Sequence, residues 1–129
     1  MFFLLLVVLF AGCKKEDSVF TLKTVKLNKY PHTSISQRLY LKVFNENLNT
    51  VLSQTDVYPS DLTLPASFSI TPQISLKPYK EHYRFELWGD VSGLIGSCQM
   101  NMDDYKIIFP IDMEVKSDSL IISATGSWR

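Results

Sequence analysis

The chain contains few cysteines and histidines, the residues that stabilise many small domains through disulfides or zinc. It has only two cysteines, Cys13 and Cys98, and two histidines, His32 and His82, which have no Cys or His neighbour at zinc-ligand spacing. We therefore expect neither a framework of several disulfides nor a zinc site. Neither sign of charge is in excess, since thirteen Lys and Arg balance thirteen Asp and Glu. Without a basic stripe to neutralise phosphates, we expect no nucleic-acid partner.

One long apolar run is present, and it stands at the start of the chain. Residues 2–11 are all apolar, and the charged sequence KKED directly follows Cys13. As a helix, ten residues measure about 15 Å, half of the roughly 30 Å hydrocarbon core of a bilayer, so the run is too short to span. Its length is typical of a secretory signal. A buried first strand or an interfacial helix is the alternative, but ten apolar residues without alternation would require burial on both faces.

The residues Leu9-Phe10-Ala11-Gly12-Cys13 resemble a bacterial lipobox, where signal peptidase II cuts before a lipid-modified cysteine. The resemblance implies that residues 1–12 are a lipoprotein signal peptide, that Cys13 carries acyl chains such as palmitate, and that residues 13–18 form a tether. Phe10 stands where lipoboxes usually have an aliphatic residue, and no Lys or Arg precedes Lys14. We therefore expect the natural start of the signal to lie upstream.

The segment Lys15-Glu16-Asp17 resembles the surface-export signal of Bacteroidota-type lipoproteins. The resemblance implies a lipid anchor in the outer membrane and display at the cell surface. A solvated tether that faces the periplasm is the alternative interpretation. If Cys13 is acylated, Cys98 has no disulfide partner, and we expect it to be a buried, small apolar residue rather than a nucleophile.

Alternation of apolar and polar residues at period two dominates the rest of the chain. It is clear in Arg38–Phe44, His82–Leu87 and Ile107–Val115, and its phase shifts between Leu22 and Val25, which indicates a β-bulge. No window of about a dozen residues has apolar positions at helical spacing between capping residues. Turn signals separate about eight short strands. The sequence therefore predicts an all-β fold, an antiparallel two-sheet β-sandwich over residues 19–129, after the N-terminal lipoprotein signal peptide.

The stretch Phe85-Glu86-Leu87-Trp88-Gly89-Asp90, followed by Leu94-Ile95-Gly96, resembles the late strand pair of C-two domains, and Arg38–Val43 is similar to another strand of that family. The resemblance implies an eight-stranded sandwich. It does not extend to the family's calcium site, because Gly89 replaces a loop aspartate and residues 30–37 contain no carboxylate. Calcium requires six to eight oxygen ligands. We therefore predict no metal site and no cofactor.

Few side chains remain as candidates for a functional site. Glu81, Glu86 and Asp90 are acids on or beside one predicted strand, but any strand bordered by charges offers as many. We predict no catalytic residue and expect a protein that is not an enzyme. Tyr40 and Trp88, together with Asp90, are the candidate ligand-binding residues, because the apolar face of a sugar can stack on an aromatic ring. Packing of these rings beneath a loop or at an end of the sandwich is the alternative.

Ser18 and Ser119 occur in Asp-Ser-aliphatic triplets that resemble O-glycosylation sites of the same bacterial group. Taken together, these features predict a non-enzymatic surface lipoprotein, anchored in the outer membrane, that binds or assembles with a protein or glycan partner. The alternative function is that of a periplasm-facing accessory or inhibitor lipoprotein of an envelope enzyme.

Overall fold

A computed structural model describes residues 19–32, 34–77, 80–100 and 112–128 of the chain. The described residues form nine β-strands and no helix, in two antiparallel sheets, so the predicted all-β two-sheet sandwich is confirmed. The predicted signal peptide, Cys13, Lys15, Glu16 and Asp17 lie outside the described residues, as do positions 107–111 of the strand expected over Ile107–Val115. The strands are β1 (Phe20–Lys29), β2 (Arg38–Asn45), β3 (Thr50–Gln54), β4 (Tyr58–Pro59), β5 (Ala66–Leu76), β6 (Tyr83–Gly89), β7 (Gly93–Gln99), β8 (Asp112–Lys116) and β9 (Ile121–Trp128).

The strands divide into two sheets that share one core. The β1 sheet has the order β5-β1-β9-β8, and the β2 sheet has the order β3-β2-β6-β7, with the short β4 beside β2. Along most strands every second side chain is buried, as the period-two pattern requires. The core contains residues of both sheets with no exposed surface, among them Phe20, Leu41, Phe68, Phe85 and Ile122. Among the described residues there is no helix of the length and apolar character needed to cross a membrane.

The bulge predicted in β1 is confirmed. The register of β1 with both of its neighbours shifts between Leu22 and Thr24. Because of this extra residue, Leu22 and Val25 both face the core although they are three positions apart. The neighbouring strand accommodates the bulge with Gly126, where an added Cβ would collide with the Thr21 carbonyl oxygen.

The strand connections give the sandwich two distinct ends. At the N-terminal end, where β1 begins, Phe20 pairs with Leu76, and the N–H of Lys77 donates to the Tyr83 hydroxyl at 2.7 Å. Tyr83 pairs in turn with Asn45, so the β2–β3 turn over residues 46–49 belongs to the same end. The chain therefore enters the sandwich at the same end as this turn.

The opposite end, called the loop end, is formed by the connections over residues 30–37, 55–57, 60–65 and 90–92. The Tyr30 hydroxyl donates to the Ser60 carbonyl at 3.3 Å, which joins the β1–β2 loop to the turn after β4. The N–H of Asp90 donates to the Arg38 carbonyl at 3.0 Å, which joins the β6–β7 turn to the start of β2. These hydrogen bonds thus tie three of the four connections into one end.

Candidate functional site

The loop end is held together by Gln37, a residue that the sequence analysis did not single out. Its buried side-chain Oε1 accepts hydrogen bonds from the N–H groups of Val91 at 3.2 Å and Ser92 at 2.9 Å. Its own N–H donates to the Ser60 Oγ at 3.1 Å, and its carbonyl accepts from the Ser60 N–H at 2.9 Å. One buried residue therefore connects the β1–β2 loop, the turn after β4 and the β6–β7 turn in a single arrangement.

An open groove of about 510 Å³ lies next to Gln37 at the loop end, and we call it the loop-end groove. Its lining includes Arg38, Val57, Tyr58, Asp90 and Val91. Val91 is 65% exposed, Val57 is half exposed, and Arg38 is exposed beside them. The groove is thus a concave surface that combines two exposed aliphatic side chains with an arginine, a residue type enriched in protein interfaces.

The structure places Asp90 in this groove, but its carboxylate already has a structural role. The Asp90 Oδ1 accepts a hydrogen bond from the Arg38 N–H at 2.9 Å. Together with the bond from the Asp90 N–H to the Arg38 carbonyl, this interaction closes the ladder between β2 and β6. Among the residues that the structure describes, no group of three or more His, Cys, Asp or Glu side chains converges as metal ligands.

Tyr40 and Trp88 lie opposite each other on the outer face of the β2 sheet, across β2 and β6. The Lys42 ammonium sits 4.3 Å from the centroid of the Trp88 ring and 5.8 Å from that of Tyr40. The indole N–H of Trp88 donates to the Glu86 Oε1 at 2.8 Å. One face of the indole is therefore covered by a cation, and its polar group is already bonded. A sugar that stacked on this face would first have to displace Lys42.

The acidic side chains on and beside β6 have structural partners. Glu86 is largely covered on the outer face of the β2 sheet, and its Oε2 accepts from the Arg84 Nε at 2.9 Å. Arg84 also binds both carboxylate oxygens of Glu46 at 2.8 Å. Glu81 accepts from the Tyr83 hydroxyl at 3.0 Å. Each of these carboxylates thus already accepts hydrogen bonds from neighbouring side chains.

Cys98 is buried in β7, as predicted, and its environment disfavours thiolate formation. It pairs with Phe85 of β6 and has almost no exposed surface. Burial raises the pKa of the Cys98 thiol to about 12. A thiol that stays protonated at neutral pH is a poor nucleophile, so Cys98 acts as an apolar core residue.

The stability of the domain should therefore decrease in alkaline solution. The folded Cys98 keeps its proton up to a pKa of about 12, whereas the ordinary pKa of a solvent-exposed thiol is 9.0, so the unfolded chain loses the proton first. Between about pH 9 and 12 the free energy of unfolding should fall by up to ~1.4 kcal/mol per pH unit from this group. Burial also raises the pKa of Tyr83 to about 12, with the same sign. Urea unfolding at pH 8, 10 and 11 measures the slope.

Cys98→Ala is the control for this prediction, because it removes the thiol but leaves Tyr83. The variant should show a shallower decrease between pH 8 and 10. An identical slope in the variant and the natural chain would contradict the assignment to Cys98.

Ser119, one of the two predicted O-glycosylation positions, lies in the β8–β9 turn and is partly exposed. Its hydroxyl is 3.4 Å from the Ser117 Oγ. Ser18, the other position, lies outside the described residues. Glycosylation of either serine stays a prediction.

Comparisons with protein-family models, with curated proteins and with solved structures found no match for this chain.

Proposed function

We propose that this protein is a non-enzymatic surface lipoprotein, anchored through Cys13 in the outer membrane, that binds a partner protein in the loop-end groove. The observation that carries the proposal is the position of the groove, at the end of the sandwich opposite the start of β1. Seven residue-to-residue steps, through six intervening residues, lead from Cys13 to Phe20. Fully extended, they reach at most about 25 Å. A lipid on Cys13 would therefore keep the N-terminal end at the membrane and direct the loop-end groove away from it.

The side chains of the groove favour a protein over a glycan as the partner. Val57 and Val91 offer exposed aliphatic surface, and Arg38 lines the same groove. This combination suits a partner segment in which an apolar side chain stands next to an acidic one. The rings that would stack on a sugar, Tyr40 and Trp88, lie near the Lys42 ammonium instead.

The hydrogen bonds of Gln37 also support a binding role. They hold three loops in one arrangement before any partner arrives. A site that is already ordered loses less conformational entropy on binding, which increases affinity for a given contact area. Loops on a rigid sandwich are also a common place for recognition residues.

The test combines anchoring, display and contact in intact cells. A photo-crosslinking residue at Val91 should link the protein to one partner, whereas the same residue at Gln73, exposed on β5 of the other sheet, should not. Cys13→Ala should abolish membrane attachment, and alanine at Lys15, Glu16 and Asp17 should remove protease accessibility from outside the cell without removing the lipid.

Several outcomes would contradict the proposal. Equal crosslinking from Val91 and Gln73 would exclude the groove as the partner site. Loss of binding after glycosidase treatment, with specific retention on a glycan array, would identify a sugar as the ligand instead. Protection of the anchored protein from external protease would favour the periplasm-facing accessory or inhibitor.

A further inference from the structure

A second exposed apolar surface lies at the N-terminal end of the sandwich, in the β2–β3 hairpin. It consists of Leu48, Val51 and Leu52, and we call it the hairpin patch. Leu48 is 70% exposed, Val51 is half exposed, and Leu52 is more than one-third exposed. Three neighbouring aliphatic side chains at one corner of the domain are more than isolated surface residues, and such patches mark interaction surfaces.

The local backbone holds these side chains outward. The N–H of Leu48 donates to the Asn45 Oδ1 at 3.2 Å, and Asn49 adopts a left-handed conformation with φ of 52°, which together define the turn. Val51 pairs with Phe44, whose ring contacts the Arg84 guanidinium on the outer face of the β2 sheet. The turn geometry therefore makes the patch a fixed feature of the hairpin.

Leu52 is exposed because of a bulge in β3. Val43 pairs with Ser53 and Phe44 pairs with Val51, so Leu52 is the additional residue between two consecutive pairs. A bulge re-aims a side chain at the edge of a sheet. Here it adds a third aliphatic side chain to the patch.

The patch is at the end of the sandwich from which the chain leads back to Cys13. The N–H of Glu46, in the same turn, donates to the His82 carbonyl at 2.8 Å, so the turn rests on the segment before β6. That segment adjoins Leu76 and Phe20 through the hydrogen bond from Lys77 to Tyr83. Only six residues of the sequence lie between Cys13 and Phe20, and a chain of this length spans at most about 25 Å, so a lipid on Cys13 would keep this end of the sandwich near the lipid layer.

We infer that the hairpin patch inserts into the boundary of the lipid layer that carries the Cys13 anchor, and so orients the domain with the loop-end groove outward. The inference rests on the proposed function, because it requires the lipid at Cys13. The patch itself carries no charge, and the nearby Arg84 is paired with Glu46 and Glu86. Insertion should therefore depend on apolar contact rather than on anionic headgroups.

The test uses the full lipidated protein reconstituted in phosphatidylcholine vesicles that contain a bilayer-embedded quencher. A fluorophore on Leu48→Cys reports contact with the lipid, and the same fluorophore on Val91→Cys, exposed at the loop end, is the matched control. Cys98 is buried and should not take the label. An apolar surface that inserts into the boundary between headgroups and acyl chains reaches about 5–10 Å into the lipid layer, where the quencher lies. We therefore expect about twofold or greater quenching at position 48 and none at position 91. Added salt should leave this difference unchanged.

A second label, on Val51→Cys, keeps Leu48 intact and should be quenched like the first. If the protein floats with the vesicles but labels at positions 48 and 51 are quenched no more than at 91, the inference is wrong while the anchor stands. Self-quenching that rises with protein density, without lipid quenching, would instead assign the patch to a second copy of the chain. If the protein does not float, the proposed anchor fails, and the inference fails with it.

Discussion

Replacing Leu41 with aspartate should leave the domain unfolded at room temperature. Leu41 has no exposed surface and lies in the middle of β2, between the two sheets. The substitution removes a buried leucine, which costs about 2–5 kcal/mol. It also places an unpaired carboxylate in the core, which costs several kcal/mol more. The sum is comparable to the whole stability of a typical domain, about 5–15 kcal/mol.

The control for this prediction is Leu94→Asp. Leu94 is a leucine of β7 in the same sheet, but 52% of it is exposed. A surface change of this kind should alter stability by no more than about 0.5 kcal/mol. Circular dichroism and urea unfolding of the two variants give the comparison, and Phe85→Asp, also without exposed surface, should behave like Leu41→Asp. A cooperative unfolding transition near the natural midpoint in Leu41→Asp would show that β2 does not lie in the core.

The strands of this domain could be predicted because their burial follows a local pattern. Leu41 and Phe85 stand at alternate apolar positions, and a strand with one buried face leaves that trace in the sequence. The bulge in β1 was also visible, since a shift of phase between Leu22 and Val25 is its direct consequence. β4 could not be predicted in this way, because its two residues are too few to show an alternation of apolar and polar positions.

The groove could not be predicted for a different physical reason. Gln37 functions through contacts with Ser60, Val91 and Ser92, which are 23 or more positions away in the chain. No periodicity or motif in the sequence marks a glutamine whose side chain bonds to the backbone N–H groups of another loop. Asp90 was identified from its neighbours in the sequence, but its bond to the Arg38 backbone became apparent only once β2 and β6 were paired.

Gln37 and Gly89 should be energetically coupled, because the Gln37 side chain packs directly against Gly89 next to the groove. An added Cβ on Gly89 would collide with the carboxamide of Gln37, so Gly89→Ala should displace that side chain. Displacing the Gln37 carboxamide leaves the N–H groups of Val91 and Ser92 without their acceptor, which should lower the free energy of unfolding by about 1–3 kcal/mol. Gln37→Ala removes the same acceptor and should cost a similar amount. In urea unfolding, Ser36→Ala, at the neighbouring exposed position, should change stability by no more than about 0.5 kcal/mol.

The double variant decides whether the loop end is built in this way. Once Gln37 is alanine there is no carboxamide to displace, so adding Gly89→Ala should cost little more than Gln37→Ala alone. The coupling energy from the double-mutant cycle should then be about 1–3 kcal/mol, and strictly additive costs would contradict the shared contact. Gln37→Ala and Gly89→Ala should each keep the sandwich folded yet lose the crosslink from Val91, because the groove depends on the position of the β6–β7 turn. A variant that loses the carboxamide contact but keeps full crosslinking would mean that the partner binds without the ordered groove.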